Sequence, residues 1–568
     1  MWWLSYYGDA KAVSGVHGKP AVGLAPPESK TAACSESLVR GNRDVFHGVK
    51  HGVFKPSKAR TESRVEKNAC ERNQMAPYEL GSGVMSTEQR ESRSVNQFRL
   101  KPEPCAVGPF KGYYKLDRIN SVAARDRQTV FNNLIQLLSE ENLVQAFRGL
   151  DGSKAVGIDK VTKAKYEAQL HVNITALRAE IRGGGWRPRP SRQVFIPKPS
   201  GGKRPLAIGC LEDKIVQSLV AKILEAIYEP LFHRHSFGFR PGRNAHQALG
   251  HVYSAINKRG KYSVVVEMDI EKFFDNVSHS KLMAFLEEKI SDKAFLRLVR
   301  RLLRNSILSE DGTLIDNATG TPQGSPVSPT LANIYLHHVL DEWFDKNYIA
   351  KGQMTRYADD AVFVFDDLKV AEEFKTQLTN RAAEYGLKLN EEKSGLVEFG
   401  PKSGTVISFV GFVLYWGKTR ITKTTLKIKT APERLRKAVQ NFTDWIKDVR
   451  NRLPTREIWK RAAARLRGHY NYYAVSFNSN AVYKFYSSCR EALFKWLNRR
   501  SQKHSFTWKQ FVRKLMFNPL PKGYLGHECI DVTSTLSSDL KHKPKSRVRK
   551  SRKHGSARSS GPQGSLFT

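Results

Sequence analysis

An α+β fold built on antiparallel strands is predicted by three features. Between residues 186 and 415, short β-rich runs ("RQVFIP", "YSVVVEMDI", "AVFVF", "ISFVGFVLYW") are interleaved with helical ones such as "LEDKIVQSLVAKILEAIYEPLF", a mixture expected of neither an all-helical nor an all-β domain. From residue 430 onward the apolar residues recur at helical spacing instead. The length of 568 residues, at roughly 150 residues per domain, leaves room for both parts and an ample core.

In chain order, residues 1–110 are rich in Gly, Ser, Pro and Lys without a sustained apolar period, and a disordered N-terminal region is expected there. Met75 or Met85 is then a candidate start of translation. A helical pattern opens near 128 in "QTVFNNLIQLLSEENLVQAFRGL", with Leu134, Leu137, Leu138, Leu143 and Phe147 on one face, so residues 111–185 read as a helical extension ahead of the mixed region 186–415. In 416–515, "PERLRKAVQNFTDWIKDVRNR" puts Leu435, Val439, Phe442, Ile446 and Val449 on one stripe, with Pro432 suited to a first helical position. "NAVYKFYSSCREALFKWLNRR" repeats the device with Val482, Phe485, Cys489, Leu493 and Trp496. Residues 516–568 include "KHKPKSRVRKSRKHGSARSS", which predicts a solvated basic tail able to bind DNA.

Charge narrows the function. With 94 Lys and Arg against 54 Asp and Glu, the formal net charge is +40, which points to a polyanionic partner, nucleic acid before an anionic membrane. No apolar run is long enough to span a bilayer and "MWWLSYYGDA" lacks the apolar stretch of a signal peptide, so no membrane association and a cytoplasmic setting are expected. The six cysteines, Cys34, Cys70, Cys105, Cys210, Cys489 and Cys529, form no C-x-x-C pair, and suggest neither a disulfide framework nor a zinc knuckle.

Against that positive background, "MTRYADDAVFVFDD" places two adjacent aspartates between strand-like runs. Arg356 and Tyr357 end one strand and Ala361 to Phe365 form the next, which puts Asp359 and Asp360 at a tight hairpin turn, where Asp is also common for local hydrogen-bonding reasons. A third carboxylate, Asp269, closes the strand "YSVVVEMD". One carboxylate at a strand end and two at a hairpin can converge, and three like charges stay ionised only with cations among them. Oxygen ligands of this kind suit Mg²⁺. Two such ions, about 3.5–4 Å apart in known sites, can activate a primer 3′-hydroxyl and neutralise departing pyrophosphate.

The sequence then resembles, over roughly 130–515, the bacterial group II intron reverse transcriptase and maturase proteins. "WRPRPSRQVFIPKPSGGKRPLAIG", "SFGFRPGRNAHQAL", "VVEMDIEKFFDNVSH", "GTPQGSPVSPTLANIYL", "RYADDAVFVF", "YGLKLNEEKSG" and "FVGF" follow the order of that family's polymerase blocks, and "LRGHYNYYAVSF" with "LFKWLNRRSQK" resembles its helical thumb, the maturase segment. The resemblance implies a right-hand polymerase, with fingers and palm over 186–415 and the thumb over 416–515.

It also implies a site. Asp269, Asp359 and Asp360 would be catalytic and bind two Mg²⁺ ions, with Ile270 among the metal-contacting positions. Lys198 and Arg204 flank a Gly-containing turn; by themselves they could be a basic hairpin tip, but the resemblance favours their reaching a triphosphate. Phe274 would lie beneath the incoming sugar and exclude a 2′-hydroxyl; a lone Phe is otherwise core. Gln323 and Gly324 would border the nascent base pair, and Lys393 would approach the pyrophosphate. Phe239, Arg240 and Arg243 combine a ring for stacking with cations for RNA phosphates. The implied partners are intron RNA, an RNA template with a DNA primer, a DNA target and deoxynucleoside triphosphates, with a homodimer admitted and nucleoid association when acting on DNA.

Three blocks depart from the family pattern: Ser325 replaces a usual second Gly, "GCLEDK" a more typical I-P-T-x-x-D-R, and "KAVGIDK" a G-A-P-G-V-D-G-like loop. None touches the carboxylates. Many relatives end in a Cys- and His-containing nuclease, of which His527 and Cys529 alone remain, so cleavage of a second DNA strand is not expected. The expected function is therefore an intron-encoded RNA-directed DNA polymerase that also aids splicing of its intron. The alternatives are a retron or diversity-generating reverse transcriptase, or a splicing factor with a vestigial site.

Overall fold

The computed structural model describes residues 110–197, 202–258, 262–418, 424–500 and 507–523. The expected disorder up to residue 109, Lys198, His527, Cys529 and the basic tail lie outside the described residues.

The chain is already packed at Phe110, ahead of helices α1 (Leu116–Arg125), α2 (Glu140–Gly149), α3 (Lys163–Glu167) and α4 (Leu170–Arg182). The helical pattern expected from 128 is broken before α2. Asn133 takes a φ of 54°, Leu134–Leu137 forms a 3₁₀ turn, and the Ser139 side chain accepts the Asn142 N–H to start the α-helix. Asn tolerates the left-handed region and Ser is a strong N-cap, so local backbone chemistry overrides the apolar period.

Strands β1 (Ser191–Pro197) and β2 (Lys203–Ile208) pair as an antiparallel hairpin, followed by α5 (Leu211–Tyr228), α6 (Ala245–Lys258), β3 (Ser263–Asp269), α7 (Phe273–Asn276), α8 (His279–Glu287) and α9 (Lys293–Leu303). Short strands β4 (Ile307–Leu308) and β5 (Leu314–Ile315) complete a sheet of order β2-β1-β4-β5, in which β1 and β4 are the parallel pair. Helix α10 (Ser328–Leu336) runs through a π-helical turn, His337–Asp341, into α11 (Glu342–Asn347). The hairpin β6 (Gly352–Tyr357) and β7 (Asp360–Phe365), then α12 (Leu368–Glu384) and β8 (Leu396–Phe399), give an antiparallel sheet of order β6-β7-β3-β8. A third sheet has β10 (Phe412–Lys418) between β9 (Val406–Phe409) and β11 (Thr424–Thr430), and the helices α13 (Pro432–Val449), α14 (Thr455–Tyr473), α15 (Ser479–Leu497) and α16 (Trp508–Phe517) follow.

Strand β3 explains why "SVVVEMD" is almost continuously apolar. Val264, Val266 and Met268 belong to one core with α5, whereas Val265 on the other face joins a second core with Val362, Val364, Phe409, Phe412 and Ile446. A strand buried on both faces loses the polar alternation of a surface strand, and each fully buried valine contributes about 1.5–3 kcal/mol. The period of two then places Glu267 and Asp269 on the face of Val265, and Asp360 on the face of Val362. Glu267, Asp269 and Asp360 thus lie on the face of the second core, which the sheet shares with the third sheet and α13–α15. The packed chain continues to Gly523: Leu520 is buried, and the Tyr470 hydroxyl donates to the Pro521 carbonyl at 3.1 Å. Among the described residues no helix is long and apolar enough to cross a membrane.

Candidate active site

Register brings the predicted carboxylates together. Asp269, the last residue of β3, stands directly opposite Asp360, the first of β7, and Tyr357 pairs with Asp360 across the β6–β7 turn. Asp360 therefore opens a strand, and the turn itself is Ala358–Asp359. Ala358 has a φ of 59°, a left-handed conformation that costs a non-Gly residue about 1–3 kcal/mol and persists only when its surroundings impose it.

Two groups of contacts impose it. Arg356, wholly buried, donates from Nε and Nη2 to Asp341 Oδ1 and Oδ2 at 2.7 and 2.6 Å, and from Nη1 to the Ala358 carbonyl and to Asn333 Oδ1, both at 3.0 Å. Behind the turn runs the segment His235–Arg240. Its His235 carbonyl accepts the Arg356 N–H at 3.0 Å, its Phe237 N–H donates to the Arg356 carbonyl at 2.8 Å, and its Gly238 carbonyl accepts from Asn333 at 2.7 Å. A Cβ on Gly238 would stand 2.3 Å from the Ala358 nitrogen, so this position must be glycine.

The segment "NEEKSG" holds the third carboxylate. Asn390 N–H donates to the Asp269 carbonyl at 2.8 Å, the Ser394 hydroxyl donates to the same carbonyl at 3.2 Å, and the Lys393 ammonium lies 2.9 Å from Asp269 Oδ2. Ile270 follows with a buried side chain, bridged to Leu389. Burial, and then the charges of its carboxylate neighbours, push Asp360 up to about 8; burial and Asp269 push Asp359 up to about 6, opposed by the Lys393 and Arg356 charges. Glu267, two residues before Asp269 on the same strand face, adds to the field on Asp360 and is itself pushed up to about 7 by burial. Among the described residues these groups do not close into a cage of three metal ligands. The donor set nonetheless fits hard cations: it is all carboxylate oxygen, it is short of positive charge, and a lysine ammonium serves as its counter-ion.

Phe274, five residues after Asp269, and Gln323 line one pocket with Gln193, Ala207 and Thr321. The loop 320–323 is docked on backbone: Thr321 N–H donates to the Phe274 carbonyl at 2.6 Å, and Gly320, at a φ of 83°, lies so close that a Cβ would stand 2.7 Å from the Phe274 and Asp275 carbonyls. The Gln323 carbonyl accepts from Ala207 N–H at 2.7 Å and its amide donates to Asp275 Oδ1 at 3.3 Å. Gly324 takes a φ of 115°, and Ser325 donates to Gln217 Oε1 at 3.0 Å. Phe274 is half-buried, with the Phe239 ring edge-on at 6.2 Å. Arg204 stands on β2 opposite Ile196.

One predicted residue is corrected. Arg240 is not an RNA contact: its buried guanidinium is bound to Glu229 at 2.8–3.2 Å, donates to the His233 and Ser236 carbonyls at 2.7 Å each, and lies over the Phe232 ring. Saturated in this way, it holds the 233–240 segment in shape. Phe239, at a φ of 58°, faces Phe274. Arg243 is half-buried, donates to the Arg234 carbonyl at 2.9 Å and lies over Phe237.

Sequence reasoning missed Glu267, Arg356, Asp341, Asn333 and Ser394. It also missed Tyr472, within "LRGHYNYYAV", whose hydroxyl donates to the Val410 carbonyl at 2.7 Å and whose ring stacks on Phe412 at 5.6 Å. Tyr472 thereby ties α14 to the third sheet at Val410, whose backbone also hydrogen-bonds Asp360.

Residues 196–451 match the family model described as reverse transcriptase (RNA-dependent DNA polymerase). Protein YkfC of Escherichia coli is 33% identical over 304 residues, covering 47% of this chain and 79% of that protein. An uncharacterized 91 kDa protein in the cob intron of Schizosaccharomyces pombe is 49% identical over 156 residues, 28% of this chain and 19% of that protein. The group II intron-encoded protein LtrA of Lactococcus lactis is 33% identical over 226 residues, 39% of this chain and 37% of that protein. The chain thus spans most of the E. coli relative but well under half of the other two.

Proposed function

The chain belongs to the reverse transcriptase (RNA-dependent DNA polymerase) family, and from that premise we propose that it extends a DNA primer along an RNA template on behalf of a group II intron, whose RNA it also helps to splice. The observation that carries this reading is the direct pairing of Asp269 with Asp360 across β3 and β7, with Asp359 on the adjoining turn. In this reading the mixed region 186–415 forms the fingers and palm of a right hand, preceded by the helical extension 111–185. Residues 416–515 form its thumb, and the stretch from 516 onward serves DNA binding.

Asp269, Asp359 and Asp360, with Ile270 beside them, would hold divalent cations, two Mg²⁺ ions by the chemistry of the donors. Such ions activate a primer 3′-hydroxyl and neutralise charge on the leaving pyrophosphate. The residues of the chain do the positioning. The Arg356–Asp341 pair fixes the Ala358–Asp359 turn before substrate arrives, so no reorganisation is needed at the moment of reaction. The Phe274 ring forms one wall of the pocket and would exclude a ribose 2′-hydroxyl, while Gln323 and Gly324 border the base pair. Lys198 and Arg204 would meet the triphosphate. Lys393, now on Asp269, would turn toward pyrophosphate once the carboxylates have cations.

Primer extension by the purified full chain on an RNA template with an annealed DNA primer tests the reading. Incorporation of deoxynucleotides that requires Mg²⁺ is expected. Its absence under conditions where RNA is bound would leave only an RNA-binding splicing factor.

A further inference from the structure

A second cleft shares no lining residue with the Phe274 pocket, and its walls are arginine. Helix α9 buries Phe295, Leu296, Leu298, Val299, Leu302 and Leu303; its opposite stripe carries Arg297, Arg300 and Arg301, and Arg304 continues it at the C-cap, at spacings of three, four and seven residues from Arg297. The facing wall is the segment after α4, where Arg187 is flanked by Pro188 and Pro190, and Asn305 and Ser306 complete the lining.

The geometry points to a site for the phosphodiester backbone of RNA in this cleft, lying outside the polymerase centre. An ordinary solvated helix face mixes signs, because like charges three or four residues apart weaken a helix. Here the nearby carboxylates are few: Glu287 reaches Arg300 at 3.5 Å and Asp316 accepts from Ser306 at 3.1 Å. Arg297 and Arg304 are exposed and have no side-chain hydrogen bond or ion pair among the described residues. Two other guanidiniums are fixed in place. Arg187 donates to the Gly184, Gly185 and Trp186 carbonyls at 3.1–3.3 Å, and Arg301 donates to the same Trp186 carbonyl at 3.0 Å. Partial burial, and then the Arg187 and Arg297 charges, push the Arg301 pKa down.

A concave, mutually repelling set of cations is relieved by an anion that spans it. All five are arginines, whose planar fork matches phosphate oxygens in pairs. Among the described residues no aromatic ring lines the cleft for bases to stack on, so the contact would be to backbone and independent of sequence. The choice of RNA over DNA rests on the proposed role in intron splicing.

The test compares the full chain with Arg297→Ala/Arg304→Ala and with a charge-matched control, Lys369→Ala/Lys375→Ala, on the exposed face of α12. Affinity for a duplex RNA of about 20 base pairs, and for duplex DNA of the same length, is measured over a series of KCl concentrations. The arginine variant should bind RNA about tenfold more weakly than the control and lose about 1–2 from the salt slope, with DNA less affected. Arg297→Lys/Arg304→Lys should recover most of the slope. Equal behaviour of the arginine variant and the control overturns the site. An equal loss toward DNA and RNA overturns the assignment to RNA. Primer extension by the unaltered chain, run alongside, separates the two readings: its failure counts against the polymerase and leaves the slope comparison standing.

Discussion

The Arg356 guanidinium and the Asp341 carboxylate meet through two charge-assisted hydrogen bonds of 2.7 and 2.6 Å, with both side chains wholly buried. A buried pair of this kind is worth little against apolar residues of similar size, but removing one partner strands the other charge. Arg356→Met alone should therefore destabilise the protein by about 3–5 kcal/mol, whereas Arg356→Met/Asp341→Leu should recover much of that loss in thermal unfolding. Polymerisation should stay low in the double variant, because the Ala358 carbonyl has lost its donor. Recovery of rate together with stability would show that the pair does not position the turn.

The same pair sets a pH dependence. Burial alone would raise the Asp341 carboxyl, but the Arg356 charge and its two hydrogen bonds, with the His337 ring 3.6 Å away, hold it well below the usual carboxylate range. A depressed folded-state pKa contributes stability that is complete above the unfolded value, about 3.9, and is lost as pH falls toward the folded one. Acid unfolding followed by circular dichroism should accordingly shift to higher pH in Arg356→Met. An unchanged acid midpoint would mean that the pair does not govern the transition.

Gly238→Ala probes the contact behind the turn. The added Cβ has backbone 2.3 Å away, so the turn or the 235–240 segment must move. A displacement of about 1 Å at a reacting centre can cost a hundredfold in rate, and a fall of that order in primer extension is expected. A wild-type rate would show that the segment yields without disturbing Asp359.

Phe274→Ala should admit ribonucleotides while deoxynucleotide incorporation remains measurable, since the ring lines the pocket beside Gln323. Primer extension with each nucleotide type reads this out. Unchanged discrimination would assign Phe274 to the packing around Phe273 and Phe239.

How much of this was legible in sequence depends on whether the deciding partner lies nearby along the chain. Asp269, Asp359 and Asp360 could be found because strand ends and a hairpin are local patterns. Glu267 was equally within reach, since a period of two puts it on the face of Asp269. Arg356 was read only as a strand end, because its partner sits 15 residues earlier on a π-helical turn that no periodicity announces. Arg240 misled for the opposite reason. Its charge and aromatic neighbours suit nucleic acid, and only the fold turns it inward onto Glu229. The arginine stripe of α9 was visible as helical spacing, but its value lies in Arg187 on the facing wall.

The central claim is that Asp269 and Asp360, paired across two strands, and Asp359 on the adjoining turn perform RNA-directed DNA synthesis. Asp359→Asn conserves volume and removes one ligand charge. Cations at such a site stabilise the transition state by several kcal/mol, and about 1.4 kcal/mol is tenfold in rate. The substitution also relieves like-charge repulsion with Asp269 and Asp360, so the fold should be unharmed and RNA binding and splicing should persist. The most direct measurement is the rate of deoxynucleotide incorporation on an RNA template by the full chain and by Asp359→Asn, at matched thermal stability. The account predicts a fall of several orders of magnitude; incorporation by Asp359→Asn at the wild-type rate would contradict it.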